Sequence, residues 1–434
     1  MGAALAKTLA HFWPDLPLWL RQLGDSRDQD QITFPRQFLF WTAALTFLLK
    51  LGARRQLHYE LDSPAALANL NRLAGCAMEK IAHGDTVEHF LSHLSTASLE
   101  RLRRNMMRRL LRMKALDAGR LQGHTLVVID GTGQFHFPAR HCAYCLAQTV
   151  GGVTHYYHHV LEAKLVTPEG LALSLDSEFI LNSDPGATKQ DCELKAFIRL
   201  AARLKRQYPQ LRLCLLLDAL YANGTVLHLC AENHWRYLIT FKRGSLPTLW
   251  EDFQSLCTLA EENRQSVRLA PDTVQDYAWV RDLEHVDNQK RRHRVNALQC
   301  REEGPDGLRF FAWLTNFPLW PDNVVELAQR GGRRRWKIEN EGFNIQKNGG
   351  FNLEHAYSTK DRPMRNWYLL LQITHLILQL LERGSLLDRQ AKSLFGSLAN
   401  LARRLRESLR NVLIPPEALD GAAAARIQIR LNSS

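Results

Sequence analysis

Leu126-Val127-Val128-Ile129-Asp130-Gly131-Thr132 is the stretch on which the fold turns. Four consecutive apolar residues, three of them β-branched, write a buried strand. Gly131 then sets the Asp130 carboxylate at its end, where the backbone turns away. Cys214-Leu215-Leu216-Leu217-Asp218 repeats the arrangement. Outward from these two, β-rich runs at 125–130, 156–166, 171–181, 211–218 and 235–241 are joined by helical periodicity at 189–207 and 221–233. The order is three strands, helix, strand, helix, strand. It predicts an α/β core: a mixed five-stranded sheet with flanking helices, whose first three strands form an antiparallel meander and whose later strands are added through helical crossovers.

Before this core, apolar residues recur with helical spacing, as in Phe38, Trp41, Leu45 and Leu48, and predict a helical N-terminal domain over 1–121. Its last segment, 96–121, reads as one long helix carrying Arg101, Arg103, Arg104, Arg108, Arg109, Arg112 and Lys114. Such a face suits phosphates, with Arg104, Arg108 and Arg112 as candidate DNA contacts; a basic face that is merely solvated has the same pattern. The first part of the core spans 122–243. Charged, weakly periodic sequence at 244–307 reads as a β-rich insertion, and the core resumes at 308–385 with a basic helix at 333–347 and a long helix at 363–382. Residues 386–434 carry a further helix, 391–410, and an Ala-rich tail expected to be poorly ordered.

A chain of 434 residues with 45% hydrophobic content can bury a sizeable core and hold more than one domain. Its formal charge of +12 attracts polyanions, which makes nucleic acid the leading partner. The first thirteen residues contain Lys7 but no apolar run with a small-residue cleavage site, so a cytoplasmic protein is expected. The apolar run 38–49 is too short to cross a bilayer, and no membrane partner is expected. Eight unevenly spaced cysteines point to reduced thiols or metal ligands more than to a disulfide framework.

Two aspartates at the ends of neighbouring core strands can share divalent cations, since carboxylate oxygens are what Mg²⁺ prefers. Attack on a phosphodiester needs such ions to activate one oxygen and neutralise another. Either aspartate alone would more often be a turn or cap residue. A third acid changes the balance, and Arg335-Trp336-Lys337-Ile338-Glu339 supplies it. On a helix Arg335 and Glu339 stand one turn apart, so the guanidinium can orient the carboxylate or hold a phosphate beside it. Glu341, two residues on, points to a nearly opposite face.

Ile129 to Thr132, Leu217-Asp218 and Arg335 to Glu339 together resemble the insertion-sequence DDE transposases, whose catalytic core is RNase H-like and whose last acid lies in an Arg-Trp-x-Ile-Glu helix. The likeness covers about 123–382. It implies Asp130, Asp218 and Glu339 as the metal-binding catalytic triad, with Mg²⁺ or Mn²⁺, and Arg335 as a contact to the DNA end. It also implies terminal inverted repeats and target DNA as partners, a homodimer in the synaptic complex, a prokaryotic nucleoid-associated setting, and an insertion that handles a DNA hairpin or a flipped base. Trp250, Trp279 and Trp313 are candidates to stack on such a base, although core packing is the commoner fate of Trp. Two positions depart from the pattern: Gly332 stands where many relatives have Tyr, and Gln346 where a Lys is expected, with Lys347 next to it. They keep open a transposase-derived DNA-binding protein without strand transfer; an RNase H-like nuclease shares the same triad.

A second constellation is His141-Cys142-x-x-Cys145, followed by His155, His158, His159 and Cys192. Two thiolates at this spacing are half of a tetrahedral site for structural Zn²⁺, with the other half from Cys192 or a histidine. A pair of buried free cysteines in a hairpin is the alternative. A His-Cys-x-x-Cys stretch and a later Lys-Gln-Asp-Cys-Glu stretch, here 189–193, also resemble one subgroup of the same transposases.

Overall fold

Alternation along β1 (Thr125–Phe137) builds two cores at once. Val127 and Ile129 enter the larger core on one face of the sheet, while Leu126 and Val128 enter a smaller one on the other, as the two-residue period of extended chain requires. The computed structural model describes residues 1–182, 190–387, 395–421 and 428–431. β1 pairs antiparallel with β3 (Val153–Val166), which carries β2 (Leu146–Val150) and β4 (Ala172–Ile180) on its other edge. On its far side β1 runs parallel to β5 (Leu213–Leu217), and β5 to β6 (Arg236–Thr240).

The sheet does not stop at five strands. β7 (Arg264–Ala270), β8 (Thr273–Val286), β9 (Arg292–Gly304) and β10 (Gly307–Thr315) continue it, giving ten strands in the order β2-β3-β1-β5-β6-β10-β9-β8-β7 with β4 beside β3. The cause is the pairing of Trp313, Leu314 and Thr315 with Thr240, Ile239 and Leu238, which zips the inserted hairpins onto the open edge of β6. An edge left bare would expose a row of unpaired backbone groups. β1 likewise does not turn away after Asp130. It stays paired with β3 through Phe137, with a bulge between Gly133 and His136, whereas its pairing with β5 ends at Val128. Asp130 therefore marks the point where β1 loses one neighbour, not the end of the strand.

Seven helices precede the sheet: α1 (Gly2–Phe12), α2 (Leu16–Arg21), α3 (Arg36–Leu48), α4 (Gln56–Glu60), α5 (Pro64–Ala74), α6 (Gly84–His93) and α7 (Thr96–Arg112). The long helix expected to reach residue 121 stops at Arg112, and Lys114 follows with a left-handed φ of 55°. The crossovers are α8 (Glu193–Gln207) and α9 (Gly224–Glu232). α8 begins four residues later than its periodicity suggests, and Lys189 lies outside the described residues. α10 (Pro247–Leu259) packs on β8. Next come α11 (Pro321–Glu326), α12 (Ile345–Asn348), α13 (Asp361–Arg383) and α14 (Leu398–Asn411). The expected helix at 391–410 is met by α14, with 391–394 outside the described residues. So are 422–427 and 432–434 of the tail, of which Ile429 is buried and Leu431 bridges to Gly384. α13, buried nearly all round, runs between α3, α6 and α7 and the β4 side of the sheet. Among the described residues no helix is long and apolar enough to cross a membrane.

Arg103 departs from the basic face predicted for the α7 arginines. It is 1% exposed and enters the core. Its guanidinium donates to Asp176 at 2.8 Å and to the hydroxyls of Ser174 (2.9 Å) and Ser177, and those hydroxyls donate to Glu162. The Tyr368 hydroxyl donates to Glu162 at 2.8 Å. Removing one member of such a pair leaves charge buried without compensation. Arg103→Ala is expected to cost about 3–5 kcal/mol, read as a lower midpoint in denaturant unfolding; a change under about 1 kcal/mol would show that Asp176 and Glu162 do not depend on it.

Candidate active site

Leu126, Val128 and Asp130 share one parity on β1, and Cys214, Leu216 and Asp218 share one on β5. The apolar members of both sets lie in the smaller core, so both aspartates emerge at the top of that face. Asp218 follows the last residue of β5, and its Oδ1 accepts the Leu220 backbone N–H at 2.8 Å, which fixes its rotamer. The same face is covered by residues 327–344, whose Leu327, Ala328, Ile338 and Phe343 complete the smaller core.

That covering segment is helical but not a regular α-helix. Leu327–Gly331 and Ile338–Asn344 are wound in wide π turns, with tight 3₁₀ turns over Gly332–Trp336 between them. Irregular turns of this kind recur where a side chain must be aimed. Arg335 and Glu339 still meet as their spacing predicts, at 3.1 Å, and Arg335 also reaches the Asp130 carboxylate at 3.5 Å. Glu341 is turned away onto Lys337 at 2.7 Å.

Burial pushes the Asp130 carboxyl up to about 6. Arg335 and the Gly131 N–H oppose that rise, while the negative charges of Glu339 and Asp218 add to it. Asp130 thus feels both other acids, and one guanidinium bridges it to Glu339.

Gly332 has a packing explanation. A Cβ there would lie 2.3 Å from the Trp313 indole, so no side chain, tyrosine included, fits between the segment and β10. Gln346 points inward, fully buried, and donates to Gln372 at 2.8 Å. Lys347 is partly exposed and pairs with Glu354 at 2.7 Å. Arg104, Arg108 and Arg112 are not part of the acidic cluster. Arg108 donates to the Gln207 carbonyl at the far end of α8, roughly 20 Å of helix away from Glu193. Arg112 is exposed and Arg104 half-buried.

Glu193, His159 and Tyr221 are members of the site that the sequence did not announce. Glu193, the first residue of α8, lies 3.1 Å from the His159 imidazole and accepts the Tyr221 hydroxyl at 3.3 Å. The His159 contact holds its carboxyl below the usual range. A Cβ on Gly131 would sit 2.4 Å from Glu193 and 2.3 Å from His159. The glycine after Asp130 therefore serves close approach and not a turn, and this is the signal that could have pointed to Glu193.

Beside Arg335 opens a cavity of about 430 Å³ lined by Trp250, Phe310, Trp313 and Trp336 with Lys242 and Arg243. Trp336 is 53% exposed, whereas Trp279 is buried in the smaller core. Elsewhere, Cys142 and Cys145 come together with His141 and His158. Cys192 caps α8, is exposed, and is not in that group.

No protein-family profile and no curated protein matches the chain. Among solved structures, a piggyBac transposase synaptic complex with hairpin DNA aligns at 10% identity and a TM-score of 0.33, over 94% of this chain and 85% of that one. A likeness at that level is too slight to bear on function.

Two outcomes are expected. Asp130 keeps its proton to about pH 6 in the folded protein but loses it near 3.8 when unfolded. Folding therefore takes up a proton across that window, and stability falls as pH rises through it. Without added divalent cations, Asp130→Asn should raise the unfolding free energy at pH 7.5, by on the order of 2–3 kcal/mol at most, read as a higher melting temperature, and the gain should vanish below pH 4. An equal gain at both pH values would contradict the buried, repelled carboxyl. Gly332→Ala should lose about 1–3 kcal/mol through overpacking on Trp313. Equilibrium unfolding reads this directly, and a neutral result would mean that the segment does not lie on that ring.

Proposed function

We propose that this protein is a DDE-type transposase, cutting DNA at the ends of a mobile element and joining the freed 3′-hydroxyl to target DNA. Asp130, Asp218 and Glu339 would hold two divalent cations, Mg²⁺ or Mn²⁺. The observation that carries this reading is the convergence of Asp130 and Glu339 on Arg335, with Asp218 near enough for its charge to act on Asp130, where β1 and β5 part company. The strand order β4-β3-β1-β5-β6, three antiparallel and then two added in parallel, supports an RNase H-like core beneath them. The donor set is all carboxylate oxygen, which suits hard cations. The Asp130 carboxyl is raised first by burial and further by Glu339 and Asp218, a cost that a bound cation would offset.

When bound, such cations supply activation of the attacking oxygen and neutralisation of the leaving one. The chain's own residues do the rest. Asp218 is pinned by the Leu220 amide, Glu339 is aimed by Arg335, and Asp130 is held half-buried on a strand paired in register with β3. Little conformational entropy remains to be lost when a scissile phosphate arrives. Arg335 has one face on the acids and lines the aromatic cavity, so it can hold a phosphate while the adjoining base leaves the duplex stack. Trp250 and Trp336 suit an unstacked base there. Lys347, Arg104, Arg108 and Arg112 are then DNA contacts away from the chemistry. The helices of 1–121 recognise the element's ends, the inserted hairpins handle the cut strand, and two copies pair the ends.

The test is cleavage of a plasmid carrying the gene's own flanking DNA, with Mg²⁺ or Mn²⁺, for wild type, Asp218→Ala and Glu339→Ala. Cuts at the element's ends followed by strand joining, reduced roughly a thousandfold or more in both variants, are expected. DNA binding without cutting by the wild type sinks the reading in favour of a transposase-derived binding protein. Cutting without joining replaces it with a nuclease.

A further inference from the structure

Four side chains close on one point at the end of β3 away from the acids. His141, Cys142 and Cys145 come from the connection between β1 and β2, and His158 comes from β3 itself. The sulfurs of Cys142 and Cys145 are 3.4 Å apart, the Nε2 atoms of His141 and His158 3.0 Å, and three sulfur–nitrogen separations run 3.4, 3.6 and 3.7 Å. A tetrahedral zinc with ordinary bond lengths spreads its ligands about 3.8 Å sulfur to sulfur, about 3.5 Å sulfur to nitrogen and about 3.3 Å nitrogen to nitrogen. The observed spacings fall within a few tenths of an ångström of that figure. A disulfide would need the sulfurs at about 2 Å.

Hydrogen bonding among the four does not explain the arrangement as well. His158 is 1% exposed, and its Nδ1 has no partner. Its Nε2 faces the His141 imidazole at 3.0 Å and the two sulfurs at 3.4 and 3.7 Å, so the polar approaches of the ring are all to the other three members of the cluster. The surroundings are apolar: Phe137 stands edge-on to His141 with ring centres 4.5 Å apart, and Phe135 to His158 at 5.5 Å. Two thiolates offset one Zn²⁺ in such a setting, and a soft donor set of two sulfurs and two imidazoles selects zinc over the oxygen-seeking cations of the acidic site.

We propose that His141, Cys142, Cys145 and His158 bind one Zn²⁺ in a closed tetrahedral site that clips the β1–β2 connection onto β3. All four positions are filled by protein, so the site is structural and not catalytic. What it holds in place can be traced. The carbonyls of Tyr144 and Cys145 accept the backbone and side-chain N–H groups of Asn182 at 3.3 and 3.1 Å. Asn182 Oδ1 in turn accepts the Asp191 N–H at 3.2 Å, and the Ala147 backbone is bracketed by the Gln190 amide. These contacts anchor the residues that lead into α8 and so into Glu193. His159, the residue after the zinc ligand, projects from the opposite face of β3 to Glu193. The zinc clip therefore sets both sides of the Glu193–His159 contact.

The proposal stands apart from the transposase reading and is tested on full-length Glu339→Gln protein, purified without chelator. Mass-spectrometric metal analysis should find about one zinc per chain, retained through dialysis against excess Mg²⁺. Cobalt exchanged for zinc should give the strong visible bands of tetrahedral Co²⁺ and a thiolate charge-transfer band. Cys142→Ser and His158→Asn should each bring the metal content to near zero, and Cys192→Ser should leave it unchanged. Chelation should speed amide exchange in β2 and the first turn of α8 while β5 and β6 keep their protection. Absence of stoichiometric zinc from the parent protein, an octahedral cobalt spectrum, or loss of metal in Cys192→Ser each overturns the assignment. The cobalt spectrum is read on the parent, so a variant that fails to fold does not shield the proposal.

Discussion

Like charge held together in a place that water does not fully reach is the constraint on which the rest of this structure depends. Asp130 lies near Asp218 and Glu339 although burial already disfavours its ionisation, and one guanidinium stands between Asp130 and Glu339. Such an arrangement persists only if the framework beneath it has stability to spare. The framework is the paired run of β1 with β3 and β5, filled on both faces by alternate residues of the same strand, so that neither aspartate can move without disturbing a packed core.

A second layer of buried charge lies under the first. Arg103, Asp176, Glu162 and Lys164 are almost wholly inaccessible, and they connect α7 and α13 to β3 and β4 through serine, tyrosine and glutamine partners. Lys164 and Glu162 stand 4.0 Å apart with no solvent contact. Burial draws the lysine down to about 8, against the pull of Glu162. A layer of this kind contributes little net stability compared with an apolar one. It specifies instead which helix face meets which strand, because any other register leaves an ion unpaired.

Much of the core is legible in the sequence. The runs ending at Asp130 and Asp218 predict the central parallel pair, and the four-residue spacing of Arg335 and Glu339 predicts their contact. These are local signals, carried by periodicity within one element. What is not legible depends on partners distant in sequence. The continuation of β1 to Phe137 is imposed by β3, against the turn that Gly131 suggests. The joining of the inserted hairpins to β6 is imposed by a three-residue pairing some 75 positions apart. Arg103 reads like its neighbours on a basic helix, and only the acids of β4 explain its burial. Cys192 reads as a third thiolate, but capping α8 carries it to the surface, and two histidines from different segments stand with the CxxC pair instead.

The winding of residues 327–344 has a consequence for how this chain can vary. A π turn holds about one residue more than the α turn it replaces, so the segment is longer than its span needs by a small fixed amount. Loss of one residue between Ile338 and Asn344 would let it relax into an ordinary helix with its flanks still in register, whereas gain of one would turn the chain beyond it by roughly 100° relative to the chain before it. Ile338 and Phe343, which share one core, would stay on one face after the loss and separate after the gain. Related chains can therefore be expected to differ freely in side chains along this partly exposed stretch, and by the loss of one residue but not by a gain, a rule of spacing that would look unmotivated in a comparison of residue identities alone.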